Sequence, residues 1–434
     1  MKLIYILLLS FFLFGCASHQ EKVFKEEFVS DLIDIPQDVS VYTEKIDAKR
    51  ISTLEQYEKE YFRVWNLQKI DITLNSAMWA HNTYSVGTSY GENLQLLEQD
   101  FFDSMLENAN YKDYASLNKK AVTLKLLNIR AFPTDKPLLL DPTKAGEGFP
   151  FDYLQNSSIA ANKPLLVSHY SKDREWVFVE SSFAYGWVKA DSVAFVENKH
   201  AELWQKAQQI LIVKEGIPIY SESGDFLFRS RIGMMFALIS EDRDSYSVLT
   251  LKRGVDAEAF YVKSKLQKSM ASNGILEFNA KNINKIVQEL SLTNYGWGGL
   301  YAQRDCSSTL RDFYAPFGIW LPRNSYKQSM IGETIALEKV ENSKKIELIK
   351  QNAQPFETLL YKQGHIVLYA GTLNDEIIVF QNVWGVKTKK EAVEGRFIVG
   401  KPVFSTLEIG SNLKDYDASA SLLEKLKSLN KVTP

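Results

Sequence analysis

The sequence has few cysteines and almost no net charge. Two cysteines, Cys16 and Cys306, occur in 434 residues, which excludes a disulfide-stabilised scaffold. The 51 basic and 53 acidic residues are dispersed, which gives no support to nucleic-acid binding. The sequence also lacks a His/Cys/Asp cluster with metal-ligand spacing and a phosphate-binding glycine loop, so we expect neither a metal nor another cofactor. The 45% of hydrophobic residues is typical of a folded protein, and the length predicts two to four domains.

The N-terminus has the pattern of an export signal. Lys2 precedes an apolar run over residues 3–14, followed by Gly15 and Cys16. The run is shorter than the ~20 residues that a spanning helix needs, although an uncleaved anchor helix is the alternative. The segment over residues 1–16 resembles a bacterial lipobox signal, which implies that Cys16 is acylated and becomes the new N-terminus once the residues before it are removed. We therefore expect an exported lipoprotein tethered to a membrane, the outer membrane facing the periplasm in a Gram-negative cell.

Changes in periodicity divide the rest of the chain. Leu54, Tyr57 and Tyr61 have helical spacing, and Ser52-Thr53 offers an N-cap. Short apolar runs with turn residues then predict strands of small β-barrels, before helical spacing returns near residue 283. The predicted parts are a tether and helical region (17–118), a first barrel (119–200), a second barrel (205–268), an α+β domain (275–410) and a C-terminal tail (411–434).

The strand predictions are specific enough to test. In the first barrel they fall on residues 164–167, 176–179 and 185–188, and in the second on residues 210–213, 217–220, 226–229, 234–239 and 246–251. The tail carries Leu422, Leu423 and Leu426, which suggests a terminal helix.

Cys306 is the candidate nucleophile. It follows a glycine-rich turn and begins a helical pattern, where the helix dipole is expected to lower the pKa of the thiol. A lone thiol in an exported protein is either buried and inert or retained for its reactivity, and the polar neighbours of Cys306 favour reactivity. Of the five histidines, only His365 shares the C-terminal unit with Cys306, so it is the candidate general base.

The base needs an acceptor that orients it. In a hairpin centred near residue 373, Gln381 is placed opposite His365, and Asn382 points to the other face. A β-bulge would exchange these two residues, so the sequence leaves a choice between them, with Gln381 preferred.

Four motifs together resemble the NlpC/p60 family of cell-wall cysteine peptidases. They are Y-G-W-G-G at Tyr295, R-D-C-S-S around Cys306, L-P-R-N-S ending at Ser325 and G-H-I-V-L-Y-A-G around His365. Residues 61–66, 130–134 and 150–155 resemble the helical region and the first SH3-like domain of the exported branch with two bacterial SH3-like domains. The resemblance implies an α+β multidomain fold with a papain-like catalytic domain.

The resemblance also implies an activity, which is cleavage of the bond between γ-D-glutamate and the diamino acid of peptidoglycan stem peptides. It makes Cys306 the nucleophile, His365 the base and Gln381 the third catalytic residue, where the family often has a histidine. It implies that Asp305 recognises the free amine of L-Ala and that Tyr185 is a candidate for closing the pocket. The remaining substrate-binding positions that it implies are Ser307, Ser325, Tyr295 and Trp297.

Two other functions remain open at this stage. The uncharged Gln381 allows a catalytically impaired protein that only binds peptidoglycan, and the same Cys–His chemistry allows an acyltransferase. The sequence leaves open which diamino acid is accepted, the physiological role and the oligomeric state. The expected partners are peptidoglycan stem peptides and, through Cys16, a membrane.

Overall fold

The computed structural model describes residues 27–433 of the chain. The export signal, most of the tether and Cys16 lie outside the described residues. Across residues 27–433, no helix is both long enough and apolar enough to cross a membrane.

Short helices form the N-terminal region. The first two, over residues 31–34 and 40–43, pack on the C-terminal domain, and the segment around Trp65 packs on the first barrel. Thr53 caps α3 by accepting a hydrogen bond from the Gln56 N–H, and the Gln56 side chain accepts one from the Thr53 N–H, which confirms the predicted N-cap. The Trp65 indole donates to the Ala121 carbonyl at 2.9 Å and fixes this region to β1. The helices are α1 (Asp31–Asp34), α2 (Ser40–Thr43), α3 (Leu54–Tyr61), α4 (Leu74–Ala77), α5 (Trp79–Thr83) and α6 (Gln99–Asn108).

The first barrel is a seven-stranded antiparallel sheet in the order β3-β2-β6-β5-β4-β1-β7. The long β2–β3 connection is held by a buried ion pair, in which Arg130 Nη1 lies 2.6 Å from Asp152 Oδ2. The three predicted strands occur as β4, β5 and β6. The strands are β1 (Lys119–Thr123), β2 (Leu127–Arg130), β3 (Gln155–Ile159), β4 (Pro164–Tyr170), β5 (Trp176–Glu180), β6 (Tyr185–Lys189) and β7 (Val193–Phe195).

The second barrel follows helix α7 (Asn198–Lys206). It combines a five-stranded sheet, β13-β12-β11-β8-β14, with the β9–β10 hairpin. The five predicted strands occur as β8 to β12. The strands are β8 (Gln209–Ile212), β9 (Pro218–Tyr220), β10 (Phe226–Arg229), β11 (Met235–Glu241), β12 (Ser245–Arg253), β13 (Ala259–Gln267) and β14 (Ala271–Asn273).

The C-terminal domain packs helices on a six-stranded sheet in the order β15-β20-β16-β17-β18-β19. Its core joins α8 and α9 to the sheet, so the expected α+β organisation is confirmed. The strands are β15 (Glu333–Ala336), β16 (Thr358–Lys362), β17 (His365–Leu373), β18 (Glu376–Lys390), β19 (Val393–Ser405) and β20 (Ser428–Lys431). The helices are α8 (Ala280–Ser291), α9 (Cys306–Tyr314), α10 (Ser325–Gln328), α11 (Asn342–Asn352) and α12 (Leu422–Lys425).

The expected C-terminal tail is wrong for its last residues. Strand β20 pairs with β15 on one side and β16 on the other, so residues 428–431 lie inside the catalytic sheet. The expected terminal helix is the single turn α12. Single 3₁₀ turns occupy Arg63–Asn66, Tyr111–Asp113, Ala190–Ser192, Ala315–Phe317 and Ala418–Ala420. Residues Trp297–Ala302 form an irregular turn with non-helical backbone angles at its centre.

Candidate active site

Cys306 is the first residue of α9, and its position is set by the helix cap. Asp305 accepts a hydrogen bond from the Ser308 N–H at 2.9 Å, and Ser308 Oγ accepts one from the Asp305 N–H at 2.9 Å. This capping box fixes the start of α9. The Cys306 side chain is almost fully buried and lines a cleft, so only a molecule bound in that cleft can reach the sulfur.

The thiol is harder to ionise than its position at a helix N-terminus predicts. Burial, reinforced by the Asp305 carboxylate, raises the pKa of Cys306 to about 12, while the Ile366 N–H and the Arg323 charge work in the opposite direction. A helix dipole contributes about 0.3–1 kcal/mol, less than one pKa unit, whereas burial can shift a pKa by about 3–5 units. The expected lowering of the thiol pKa is therefore wrong for the protein without substrate.

A chain of hydrogen bonds orients His365. His365 Nε2 lies 2.8 Å from Gln381 Oε1, Gln381 Nε2 donates to Ser405 Oγ at 2.6 Å, and Ser405 Oγ donates to the Thr406 carbonyl at 3.0 Å. Because the Ser405 proton goes to Thr406, Ser405 accepts from the Gln381 amide nitrogen, and the amide oxygen faces the imidazole. Neutral His365 therefore carries its proton on Nε2, which leaves Nδ1 free to accept one.

The imidazole is also held neutral. Burial lowers the pKa of His365 to about 4, and the ammonium group of Lys362 acts in the same direction, whereas the Gln381 hydrogen bond opposes it. Near pH 7 the thiol and the imidazole are therefore both uncharged in the free protein.

A β-bulge decides which residue orients His365. The β17–β18 turn sets a register that by itself would put Asn382 on the face of His365. The bulge just before Gly371 shifts the register by one residue and brings Gln381 to that face. Asn382 lies on the other face, where it donates to the Arg304 carbonyl at 2.9 Å. The observed register differs by two residues from the expected one, a shift that leaves Gln381 on the predicted face.

Asp305 is part of a buried ion pair. Its Oδ2 accepts from Arg323 Nη2 at 2.6 Å, and its Oδ1 accepts from Arg323 Nη1 at 3.2 Å and Ser307 Oγ at 3.2 Å. Burial works against the charge of Asp305, but Arg323 outweighs it and holds the pKa of Asp305 below its usual range. Arg323 Nε also donates to Ser157 Oγ of the first barrel at 2.7 Å. Arg323 lies within the L-P-R-N-S motif, yet the sequence alone did not single it out.

The other predicted residues meet around a cleft of about 760 Å³ between the N-terminal region, the first barrel and the C-terminal domain. His365 and Gln381 line a second cavity beside it, and Tyr295 lines both. The site residues that line the larger cleft are Asp305, Cys306, Ser307, Tyr295, Trp297 and Ser325.

The first barrel supplies one wall of the cleft. The Trp297 ring packs against Phe151 and Tyr153, with centroid separations of 5.1 Å and 5.6 Å. Tyr185, the candidate for closing the pocket, lines the cleft, and its hydroxyl donates to the Ser76 carbonyl at 3.3 Å. Sequence reasoning did not assign further lining residues to the site, although Arg63 and Tyr153 lie in segments that resemble the family; they are Arg63, Trp79, Tyr84, Tyr153 and Glu180.

The glycine-rich turn before Cys306 allows the first barrel to approach closely. Gly298 and Gly299 have φ values of +58° and +87°. A Cβ on Gly298 would lie 2.5 Å from the Gln155 carbonyl oxygen, and one on Gly299 would lie 2.1 Å from Ser158 Oγ. Only glycine fits both the backbone conformation and the contact.

The other described histidines lie away from Cys306. His169 is fully buried and its ring nitrogens contact Ser168 Oγ and the Ala109 carbonyl, while His81 stacks on Phe132. His200 packs against Tyr261. Within residues 27–433, no group of three or more His, Cys, Asp or Glu side chains could hold a metal ion.

Two barrels, a helical region and a papain-like α+β domain that carries a buried thiol and a histidine define a multidomain thiol enzyme fold. Family models match four successive segments of the chain. They are the NLPC_P60 stabilising domain (residues 5–114), the SH3 domain of SH3b1 type (137–189), the SH3 domain of SH3b2 type (198–243) and the NlpC/P60 family (292–391). The chain belongs to the NlpC/P60 family.

Solved structures were compared with the chain as well. An NlpC/P60 endopeptidase from Photobacterium damselae subsp. piscicida shares 22% identity over 92% of this chain and 98% of its own, with a TM-score of 0.79, and thus the same fold. An NlpC/P60 family protein from Bacillus cereus shares 17% identity over 64% of this chain and 82% of its own, with a TM-score of 0.43. No curated protein matches the chain. The family and its SH3 domains indicate a peptidoglycan hydrolase of the cysteine endopeptidase type.

Proposed function

We propose that the protein cleaves the bond between γ-D-glutamate and the diamino acid in stem peptides that carry a free L-Ala amine, with Cys306 as nucleophile and His365 as base. The observation that carries the proposal is the His365–Gln381–Ser405 chain of hydrogen bonds, because it leaves Nδ1 of His365 unprotonated. His365 is the first residue of β17, the strand that contacts the nucleophile helix α9. A base in the correct tautomer is what a thiol with a raised pKa requires.

The reaction follows from these groups. His365 Nδ1 takes the thiol proton as the Cys306 sulfur attacks the γ-carbonyl carbon, and the oxyanion is stabilised by backbone N–H groups at the start of α9. The C–N bond then breaks, His365 returns the proton to the leaving amine, and a thioester remains on Cys306. Water hydrolyses the thioester, with His365 accepting its proton, and the free thiol is regenerated.

Asp305 supports recognition of the free amine. Its Oδ1 already accepts three hydrogen bonds, from Arg323, Ser307 and Ser308, but Oδ2 accepts only one in the described structure. An ammonium group could therefore still pair with Oδ2. The narrow cleft between three parts of the chain would exclude a peptide whose L-Ala is linked to the glycan, so we propose released stem peptides as substrates. Ser307, Ser325, Tyr295 and Trp297 are proposed to contact the γ-D-Glu portion and to form the cleft wall.

The alternative of an impaired peptidoglycan-binding protein rested on the uncharged Gln381. Its Oε1 accepts the His365 bond all the same, which supports an orienting role without a charge. An acyltransferase would use the same thioester and differ in the acceptor that resolves it. The mass of the product separates transfer from hydrolysis.

The proposal is tested by incubating the purified protein with L-Ala-γ-D-Glu-meso-diaminopimelate or with the N-acetylated form of this peptide. The Cys306→Ala variant is treated in the same way as a control. We expect release of the diamino acid only by the wild-type protein and only from the free-amine peptide. Asp305→Asn keeps a side chain that can cap the helix but removes the charge. This variant should have a higher KM for the free-amine peptide, so that its KM values for the free and the acetylated peptide differ less than those of the wild type. A peptide that binds the wild-type protein but stays intact under reducing conditions would favour the impaired protein.

We also propose that Cys16 carries the lipid anchor and that the protein is exported to the cell envelope. Lys2, the apolar run, Gly15 and the cysteine support this proposal. Cys16→Ala should move the protein from the membrane fraction to the soluble fraction of the envelope. An unchanged membrane fraction would instead favour the uncleaved anchor helix.

A further inference from the structure

A cavity of about 300 Å³ lies on the His365 side of the site, separate from the cleft that Cys306 lines. His365, Gln381 and Tyr295 form one end of this cavity, and Lys362 and Arg396 also line it. Tyr295 lines both spaces, so the cavity and the cleft flank the thiol–imidazole pair.

The cavity carries an excess of positive charge. Its charged lining residues are Lys362, Lys387, Arg396 and Asp417. Lys387 forms ion pairs with Asp417, at 3.6 Å, and with Glu394. In the part of the chain that the structure describes, Lys362 Nζ donates only to the Ala420 carbonyl at 3.2 Å and Arg396 Nη1 to the Gly395 carbonyl at 2.8 Å. Neither has a carboxylate within ion-pair distance there, and Glu394, whose pKa the Arg396 charge helps to lower, is already paired with Lys387. Lys362 and Arg396 therefore lie beside the base without an ion pair of their own.

The first barrel closes this cavity from the opposite side. Phe151 packs edge-on against Trp384 with a centroid separation of 5.8 Å. Gly146 lies beside the Arg396 guanidinium, since a Cβ on Gly146 would be in van der Waals contact with Nη2 at 3.5 Å. A ligand in the cavity would therefore be partly shielded from water, which strengthens a charge pair formed there.

The proposed reaction determines what must occupy this space. The leaving amine receives its proton from His365, so the diamino-acid half of the substrate has to lie within reach of the imidazole. That half carries carboxylates: meso-diaminopimelate has one on its side chain in addition to its main-chain carboxyl group, whereas lysine has only the latter.

We propose, on the basis of the proposed function, that Lys362 and Arg396 form a cationic leaving-group subsite that binds the carboxylates of the diamino-acid half. The volume accommodates an amino-acid residue, and charge-assisted hydrogen bonds from an ammonium and a guanidinium match carboxylates. Diamino acids with a free side-chain carboxylate are then preferred over lysine.

A second groove next to the site gives a clear contrast. It is lined by Ser325, Tyr326, Glu338 and Lys427, and its cation is already paired, with Lys427 Nζ 3.0 Å from Glu338 Oε1. A paired cation binds an added carboxylate less well than a free one. This groove therefore lacks the charge excess of the cavity at His365, and Lys427 is a matched control for Lys362.

The test compares kcat/KM of the full-length protein on three tripeptides, L-Ala-γ-D-Glu followed by meso-diaminopimelate, by its side-chain carboxamide, or by L-lysine. We expect a preference of about tenfold or more for the free carboxylate, the usual size of a charge-assisted hydrogen bond. Lys362→Met and Arg396→Met should each reduce that preference, mainly through KM for the diaminopimelate peptide, and Lys427→Met should leave it unchanged. Comparing substrates on the same variant cancels any general effect of Lys362 on His365.

The outcomes separate this inference from the proposed function. Three outcomes would overturn the cationic subsite: equal cleavage of all three peptides, a preference that survives both substitutions, or a preference that is lost in Lys427→Met. None of them would contradict the proposed endopeptidase activity. Cleavage of none of them by the wild-type protein overturns the proposed function itself. A melting temperature close to that of the wild type shows that a variant is folded. If Lys362→Met does not fold, Arg396→Met alone tests the subsite.

Discussion

The hydrogen bond between His365 and Gln381 can be removed without removing a charge or the nucleophile. In Gln381→Leu the side chain keeps a similar size but offers no acceptor, so the proton on His365 Nε2 loses its partner. The imidazole is then free to carry its proton on Nδ1, and in that tautomer it cannot accept the thiol proton. Ser405 still donates to the Thr406 carbonyl, which limits the disturbance behind the site.

The size of the effect follows from the bond that is lost. Leaving a buried donor without an acceptor costs about 1–3 kcal/mol, which corresponds to a decrease of about 5- to 150-fold in kcat/KM. Hydrolysis of the free-amine tripeptide, followed from pH 4 to 9, measures this decrease. Gln381→Glu provides the complementary change, since a carboxylate accepts the same bond and raises the pKa of the imidazole. The acid limb of its pH profile should therefore move to higher pH.

Gln209→Leu is the matched control. Gln209 is buried in the second barrel, and its amide donates to the Trp204 and Ala207 carbonyls at 2.7 Å and 2.8 Å. Its loss should lower the melting temperature while kcat/KM of the folded enzyme stays at the wild-type value. The reasoning is refuted if Gln381→Leu keeps wild-type activity at every pH, because the tautomer would then not depend on Gln381.

Three further predictions concern stability. Gly299→Ala places a Cβ 2.1 Å from a first-barrel side chain at a φ of +87°. We therefore expect the free energy of unfolding in urea to fall by about 1–3 kcal/mol and the activity to decrease. An unchanged unfolding midpoint would mean that the first barrel and the C-terminal domain can separate freely. Asp312→Asn removes the carboxylate that buried Arg231 contacts at 3.3 Å and buried Arg304 contacts at 2.7 Å. Arg304 keeps Glu215 as a partner, but Arg231 has no other carboxylate within ion-pair distance among the described residues, so about 3–5 kcal/mol of unfolding free energy should be lost. A loss below about 1 kcal/mol would contradict this. His365 has an ordinary pKa of 6.5 when unfolded and about 4 when folded, so the unfolded chain binds more protons and stability falls as the pH drops from about 6.5 to 4. Thermal unfolding of His365→Gln should show a shallower fall than the wild type over this window, and parallel curves would argue against the depressed pKa.

Local patterns predicted most of the fold. The Thr53 cap, the helical spacing that follows it, three of the seven strands of the first barrel and five of the seven of the second depend on neighbours in the chain, and the structure contains them. The strand Ser428–Lys431 was missed because it is short and has no apolar alternation. Its place in the sheet comes from pairing with residues 333–336 and 358–361, which lie far away in the sequence.

The candidate site was predictable where residue types and spacing carry the chemistry. Cys306, His365 and Gln381 were found in this way, although the Gln381 prediction depended on a register that the bulge before Gly371 altered. The high thiol pKa was not predictable, because burial arises from the whole assembly around α9 rather than from the adjacent sequence. The Arg323 ion pair was missed for the same reason, and of the first-barrel wall only Tyr185 was named from the sequence.

The charges around the thiol and the imidazole suggest why the free protein keeps both neutral. Asp305 helps to raise the pKa of Cys306, and Lys362 helps to lower the pKa of His365. A substrate ammonium beside Asp305 and a leaving-group carboxylate beside Lys362 would each offset one of these effects. Transfer of the proton from sulfur to imidazole would then be easiest when both ends of the peptide are bound. On the proposed assignment, the same two charges that select the substrate would keep the thiol unreactive until the substrate binds.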